Sequence, residues 1–308
     1  MDPVPVVVFL YNRPVHSKQT IESLIKNEGL NPSNIILCVD RSNLYDPKNE
    51  EVIRIAQTYR ESHQMQVWLN KKNKGLKNQI IESITRVFEE HKSCVVLEDD
   101  IETHIYFYKF MCYHLFHSEY DSTVWHISGY VDKEYGSRSF LHLVPSCWGW
   151  GTWADRWANL QTDPSRVWAD LKNTNSLKRF DFNYSGVFLP QISLNVAGDI
   201  ETWAILWYAA IFLNTGYCIH PPRSLTRNIG FDGTGTNCQE RSIQSTDNFL
   251  TTTEDWSEFI SIDRNVAASY AEFAKYYRSL HKSNFKRLMI IMLIRIFNLY
   301  PRVRKCFR

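Results

Sequence analysis

Apolar runs of strand length alternate with amphipathic segments of helix length up to about residue 122 of this 308-residue chain. This alternation is typical of parallel strands joined by crossover helices. The sequence therefore predicts an α/β fold with a central, mostly parallel sheet and helices on both faces. The predicted strands are Val4 to Leu10, Asn34 to Asp40, Met65 to Leu69 and Ser93 to Leu97, and the predicted helices are Val15 to Lys26, Pro47 to Ser62 and Leu76 to His91.

Beyond this region the alternation gives way to aromatic segments and loops, with one further helix predicted near Glu201 to Leu213. The sequence shows no internal repeat and no low-complexity linker. We therefore expect one domain over residues 1–282, with halves at about 1–122 and 123–250, and a separate tail over 283–308.

The composition indicates a globular protein with a sizeable core, since 44% of the residues are hydrophobic and 14% are aromatic. The formal net charge is only +2. Nucleic-acid binding over a broad surface requires a dense basic stripe, so the composition argues against a nucleic-acid partner.

The tail differs in charge from the rest of the chain, because Phe285 to Arg308 contains seven Lys or Arg residues and no acid. The uncharged run within it, Leu288 to Ile294, is too short to span a bilayer. Basic residues around a short apolar helix fit peripheral contact with an anionic cytoplasmic membrane leaflet. A terminal helix docked on the domain is the alternative.

The chain has seven cysteines without CxxC spacing, and its first strand follows the N-terminus directly. This pattern predicts a protein of the reducing cytoplasm. Cys38, Cys94 and Cys218 lie in apolar runs and are expected to be core thiols.

The fourth predicted strand ends in three consecutive carboxylates, Glu98, Asp99 and Asp100. Alternation along a strand would send Glu98 and Asp100 to one side and Asp99 to the other. So much negative charge at the carboxyl end of a strand predicts a cation there. One carboxylate could hold a divalent cation whose other ligands are water and a nucleotide diphosphate. A solvated acidic turn is the alternative.

A tryptophan-rich segment runs from Cys147 to Trp157. Trp148 and Trp150 offer broad apolar faces on which a sugar ring can stack, although core packing would explain them equally well. Trp153 and Trp157 have helical spacing, and we assign those two to the core.

Several motifs follow one another in a fixed order. They are Phe9-Leu10-Tyr11-Asn12-Arg13-Pro14, Val39-Asp40-Arg41, Lys74-Gly75-Leu76, Val96-Leu97-Glu98-Asp99-Asp100, the segment from Cys147 to Trp153 and the segment from Asn228 to Thr236. Through them, the region from Val4 to Cys238 resembles glycosyltransferases of the GT-A fold. The resemblance is to the N-acetylglucosaminyltransferase I type and to related bacterial surface-polysaccharide sugar transferases.

The resemblance implies that Arg13 and Asp40 grip the uridine of a UDP-sugar donor. It also implies that Asn78, near the start of the third predicted helix, approaches the base. Ordinary loop polarity is the alternative for Arg13 and Asp40, and a helix-surface amide is the alternative for Asn78.

For the acidic cluster, the resemblance makes Asp100 the ligand of a divalent cation, Mn²⁺ or Mg²⁺. It places Glu98 and Asp99 against the ribose, the sugar or waters of the metal shell.

Transfer with inversion requires a general base. The candidates are Asp199 and Glu201, and Asp199 ranks slightly higher. Related enzymes often carry an acid directly after a tryptophan here, but this chain has Ala204 after Trp203. As an alternative, Asp199 would cap the following helix and Glu201 would lie in its first turn.

The glycine-rich segment from Arg227 to Thr236 has the composition of a loop that closes over phosphates, and Gly233 lies within it. An Asp-Gly hairpin turn is the alternative. Arg227 would neutralise the diphosphate or pair with a local acid. Relatives often have histidine where this chain has Asn237.

The resemblance thus predicts a metal-dependent enzyme that moves a sugar from a nucleotide-sugar donor to a hydroxyl of a glycan or lipid-linked oligosaccharide. The first half would bind the donor and the second half the acceptor. A non-catalytic nucleotide-sugar or glycan-binding protein is the main alternative. A sugar nucleotidyltransferase is disfavoured, because the loop from Tyr11 to Pro14 lacks glycine.

Overall fold

The computed structural model describes residues 3–232, 249–250 and 256–279. The predicted tail, 283–308, therefore lies outside the described residues. Among those described, no helix combines the length and apolarity needed to cross a lipid bilayer.

The chain forms two compact units. The first unit comprises residues 1–158 and 218–264, and the second comprises 159–217 and 265–308. These boundaries differ from the predicted halves, 1–122 and 123–250. The reason is that strands of one sheet come from both sides of residue 122, and the chain rejoins that sheet near Cys218.

The first unit contains all the described strands. They are β1 (Val6–Leu10), β2 (Ile35–Val39), β3 (Gln66–Leu69), β4 (Ser93–Glu98), β5 (Ile101–Thr103), β6 (Val124–Ser128), β7 (Ser139–His142), β8 (Trp150–Trp153), β9 (Tyr217–His220), β10 (Thr226–Asn228) and β11 (Ile262–Asp263). Its helices are α1 (Pro14–Ile25), α2 (Pro47–His63), α3 (Leu76–Val87), α4 (Phe107–His117), α5 (Ala154–Trp157) and α10 (Trp256–Ile260).

Nine of these strands form one sheet in the order β11-β7-β9-β6-β8-β4-β1-β2-β3, and β5 pairs separately with β10. The neighbours β3, β2, β1 and β4 are all parallel, whereas β8 runs antiparallel to both β4 and β6. Every residue of β1 and β2 is buried, as expected for parallel strands covered on both faces. The structure confirms the predicted α/β class and the helix-connected parallel strands.

Local sequence signals set the helix starts at the carboxyl edge of these strands. Pro14 occupies the first position of α1, where its missing N–H costs no hydrogen bond. Asp46 caps α2 by accepting a 2.9 Å hydrogen bond from the Lys48 N–H. Gly75 precedes α3 with φ +74°, a conformation that favours glycine.

The second unit is helical in its described part, with an aromatic core. Phe180 and Tyr208 stack at 4.4 Å, and the Tyr208 hydroxyl donates to the Phe180 carbonyl at 2.8 Å. Its helices are α6 (Pro164–Asn173), α7 (Leu177–Phe180), α8 (Leu189–Ala197), α9 (Ala204–Leu213) and α11 (Val266–Ser279).

Candidate active site

The acidic cluster lies where β4 ends at the carboxyl edge of the parallel strands. Glu98 is the last residue of β4, and Asp99 and Asp100 form a turn before β5. The Thr20 hydroxyl of α1 holds this turn by donating to the Asp99 carbonyl at 2.8 Å. The predicted strand alternation across the three acids is wrong, because the strand ends before Asp99. Both aspartates face the same cation, Arg13.

Arg13 provides the positive charge that the cluster requires. Its Nη1 donates to Asp100 Oδ2 at 2.8 Å and lies 3.8 Å from Asp99 Oδ1. Its Nη2 donates to the Gly230 carbonyl at 3.3 Å and to Asp232 Oδ1 at 3.4 Å. The loop after β1, the turn after β4 and the segment after β10 thus meet at one guanidinium.

The cluster brings three acidic side chains together beside one arginine, and this crowding disfavours their charged forms. Burial raises the pKa of Glu98 to about 8, and repulsion from Asp100 and Asp99 adds to the rise. Burial likewise raises the pKa of Asp99 to about 7, with Asp100 adding to the rise and Arg13 opposing it. A further cation at this edge would relieve the repulsion.

The segment after β10 approaches the cluster closely. The Ile229 N–H donates to the Asp100 carbonyl at 2.8 Å, and the Gly230 N–H donates to Asn228 Oδ1 at 2.7 Å. A Cβ on Gly230 would lie 2.2 Å from Asp100 Oδ2 and 2.7 Å from Arg13 Nη1. Only glycine leaves room for this ion pair.

Substitution of Gly230 by alanine is therefore expected to push the ends of the Arg13 and Asp100 side chains apart and to weaken donor binding, with a change in the free energy of unfolding below about 1 kcal/mol because these side-chain ends can shift. Thermal unfolding measures the stability, and titration with a nucleotide-sugar measures the site. Gly29→Ala is the control, because its Cβ would meet nothing within 4 Å although φ is +80°. Equal effects of the two changes on donor binding would contradict the assigned role of Gly230.

Asp40 is buried at the end of β2, and the loop before α3 occupies its carboxylate. Oδ1 accepts hydrogen bonds from Asn70 Nδ2 at 3.0 Å and the Lys74 N–H at 3.1 Å. Oδ2 accepts from the N–H groups of Lys74 at 3.0 Å and Gly75 at 3.1 Å. Asp40 thus positions this loop, and its contact with the uridine of a donor stays a prediction of the resemblance.

Two buried amides that sequence reasoning missed hold the same edge. Asn49 Nδ2 donates to the carbonyls of Tyr11 at 2.6 Å and Asp40 at 2.8 Å, which ties the ends of β1 and β2 together. Gln79 Nε2 donates to the Cys38 carbonyl at 3.0 Å. Each amide lies on the apolar, buried face of its helix, Asn49 in α2 and Gln79 in α3, and a polar residue at such a position could have been recognised in the sequence as a buried hydrogen-bonding group.

Three other predicted donor contacts have different outcomes. Asn78 is exposed, and its Nδ2 donates to the Lys74 carbonyl at 2.9 Å within α3, which matches the helix-surface alternative. Arg227 pairs with Glu102 at 2.6 Å across the β5–β10 ladder, so the alternative of a local acid holds in place of the diphosphate. Gly233 lies outside the described residues.

Comparison with known proteins gives structural matches only. No family model matches the sequence, and no curated protein matches it. A mannosyltransferase, PcManGT from Pyrobaculum calidifontis in complex with GDP-Man and Mn²⁺, matches with a TM-score of 0.41 and 11% identity over 69% of this chain and 70% of that one. The fragment 1–349 of S. aureus TarS matches with a TM-score of 0.43 and 10% identity over 72% and 60% of the two chains. GalNAc-T7 with UDP, GalNAc and Mn²⁺ matches with a TM-score of 0.44 and 9% identity over 72% and 43%. A longer S. aureus TarS chain is matched over 22% of its length.

The two candidate sugar contacts differ in burial. Trp150 is fully buried and stacks on His126 with ring centroids 5.1 Å apart, so its assignment as a sugar contact is wrong. Trp148 is half-buried, and its ring centroid lies 4.5 Å from that of Tyr130 and 5.5 Å from that of Phe231. Its contact with a sugar stays a prediction. Trp153 and Trp157 are buried core residues, as predicted.

The candidate bases lie in the second unit, between α8 and α9, and both are exposed. Helix α9 begins at Ala204, three residues later than predicted, so Asp199 does not cap it. Asn195 orders this connection instead, with Oδ1 accepting from the Thr202 N–H at 3.0 Å and Nδ2 donating to Thr202 Oγ1 at 2.8 Å.

Within the part of the chain that the structure describes, no group of three or more His, Cys, Asp or Glu residues is arranged to hold a metal ion. A metal bound through one carboxylate and a donor diphosphate would not need such a group. A divalent cation would favour the charged forms of Glu98 and Asp99, whose pKa values are raised without one, and the carboxylate oxygens of Asp100 are the hard ligands that such a cation takes. Asp100 is the candidate ligand.

Proposed function

We propose that this protein is a glycosyltransferase that moves a sugar from a nucleotide-diphosphate donor, a UDP-sugar, to a hydroxyl of a surface-glycan acceptor with inversion. The observation that carries the proposal is the cluster of Glu98, Asp99 and Asp100 around Arg13 at the carboxyl edge of parallel strands. Open α/β sheets bind their ligands at this edge. The resemblance of the sequence motifs supports the same function.

The donor half of the mechanism follows from the charges at this edge. Arg13, in the loop after β1, lies beside this cluster and would contact the uridine of the donor, as the resemblance implies. A divalent cation, Mn²⁺ or Mg²⁺, would be held by Asp100 and would stabilise the charge on the departing diphosphate. Glu98 and Asp99 would accept hydrogen bonds from the ribose or the sugar.

The ordered loops at this edge support binding of the donor's nucleobase. Asp40 holds the loop after β3 and Asn49 ties the loops after β1 and β2 together, so a nucleobase would meet a preorganised surface at little entropic cost. On the acceptor side, the half-buried face of Trp148 would stack on a sugar ring. Asp199 or Glu201 would take the proton of the attacking hydroxyl.

A non-catalytic nucleotide-sugar or glycan-binding protein is the second candidate. It is favoured by Ala204, which stands where an acid is expected from the resemblance. Turnover separates the enzyme from a nucleotide-sugar-binding protein, because both bind a donor, and donor binding separates the enzyme from a glycan-binding protein.

Calorimetric titration of the protein with UDP and a panel of UDP-sugars, with and without Mn²⁺, tests the proposal. We expect metal-dependent binding of one UDP-sugar, followed by release of UDP when a glycan acceptor is added. Binding without turnover against a broad acceptor panel would favour the binding protein. Failure to bind any nucleotide-sugar would contradict the glycosyltransferase and leave only the glycan-binding form of the second candidate.

A further inference from the structure

Two loops at the carboxyl edge of the sheet form one fixed surface. The loop after β2 and the loop after β3 are joined by the Asn73 N–H, which donates to Asn43 Oδ1 at 3.1 Å, and by the Asn70 N–H, which donates to the Val39 carbonyl at 3.0 Å. The bonds from Lys74 and Gly75 to Asp40 add to this connection. The side chains that these loops display therefore keep their relative positions.

Several apolar side chains on this surface are exposed to solvent. Leu44 and Tyr45 are 83% and 84% exposed at the tip of the first loop. Leu69 and Leu76, at the two ends of the second loop, are 39% and 40% exposed. Single exposed apolar residues are common in proteins, but adjacent ones on a loop held by hydrogen bonds indicate a contact surface.

Positive charge surrounds these apolar side chains. Residues 41–48 and 69–77 contain six basic residues and one acid, a net charge of +5 in a chain whose formal total is +2. The acid, Asp46, accepts from Asn12 Nδ2 at 3.1 Å and caps α2. Lys74 pairs with Glu82 of α3. The exposed or half-buried cations Arg41, Lys48, Lys71 and Lys72 belong to these loops as well, and we call these four residues with Leu44, Tyr45, Leu69 and Leu76 the basic-apolar patch.

We propose that the basic-apolar patch docks this protein on an anionic lipid bilayer. Leu44 and Tyr45 would enter the interface between headgroups and acyl chains, while the lysines contact anionic headgroups. A soluble polyanion would be bound by the cations alone and would gain nothing from two exposed apolar residues at the tip. The proposal does not rest on the glycosyltransferase function. Because the carboxylate cluster lies at the same edge of the sheet, a docked molecule would hold it near the membrane surface.

Co-flotation of the full chain with vesicles tests this docking. Wild-type protein is expected to float with vesicles of phosphatidylcholine and phosphatidylglycerol, less at high salt, and to remain unbound with phosphatidylcholine alone. Lys71→Gln with Lys72→Gln should weaken partitioning about 25-fold, since each charge near the surface is worth roughly fivefold. Leu44→Ser with Tyr45→Ser should weaken it by about tenfold or more, because the apolar insertion is lost.

Matched controls come from exposed residues elsewhere in the first unit. Tyr120→Ser removes an aromatic ring that is 90% exposed, and Lys18→Gln removes a cation that is 60% exposed. Neither change should alter flotation. The proposal is overturned if wild-type protein does not float, or if the patch variants float as well as wild type. It is also overturned if only the lysine changes matter, because the patch would then bind anionic surfaces by charge alone, without apolar insertion.

Discussion

Replacement of Asp100 by asparagine is expected to lower sugar transfer about 10²–10³-fold, the usual effect of removing one group that stabilises charge in a transition state. Asparagine keeps the shape of the side chain and an oxygen that can accept the hydrogen bond from Arg13 Nη1. The fold should therefore persist. What is lost is the negative charge that would hold a divalent cation against the donor diphosphate.

Two measurements separate this effect from damage to the fold. Calorimetry should show that Mn²⁺ no longer strengthens nucleotide-sugar binding by the Asp100→Asn variant, and thermal unfolding should be close to that of wild type. Glu102→Gln is the matched control, since Glu102 lies two residues further on and pairs with an arginine, Arg227, at the surface. Transfer by Asp100→Asn within about threefold of wild type would show that the carboxylate plays no part in the reaction.

The parallel part of the fold was predictable because its signals are local. Each of β1 to β4 is a short apolar run, and α1 to α3 repeat apolar residues at helical spacing, so the elements appear where the sequence places them, within a few residues. Proline and aspartate at the helix starts fixed those boundaries. The antiparallel partner of β4, β8, and the strands beyond it carry no comparable signal, since they are short and come from distant parts of the chain.

The site was predictable in its residues but not in its contacts. Arg13 and Asp100 were both identified, but their pairing joins positions 87 residues apart and depends on the approach of Gly230. Asp40 was identified too, but its four hydrogen bonds come from a loop whose path no periodicity reveals. Trp150 was misassigned because a tryptophan has the same sequence signature on a core face as in a sugar subsite.

Removal of the general base is expected to have the other large effect. Either Asp199→Ala or Glu201→Ala should lower turnover about 10²–10⁴-fold, the usual contribution of a positioned base. Both side chains are exposed, and the start of α9 does not use Asp199 as a cap. Such surface changes usually alter the free energy of unfolding by less than about 0.5 kcal/mol. A fall in turnover would therefore report on chemistry.

Each of these variants serves as the control for the other, because the two acids are two residues apart and both are exposed. One variant should lose turnover while its nucleotide-sugar affinity, measured by calorimetry, stays at the wild-type value. The other should keep both. Unchanged turnover in both variants would place the base elsewhere in the chain. If wild-type protein binds a nucleotide-sugar but shows no turnover, the protein is a non-catalytic nucleotide-sugar-binding protein. Ala204 would then stand where such a protein has lost the catalytic acid.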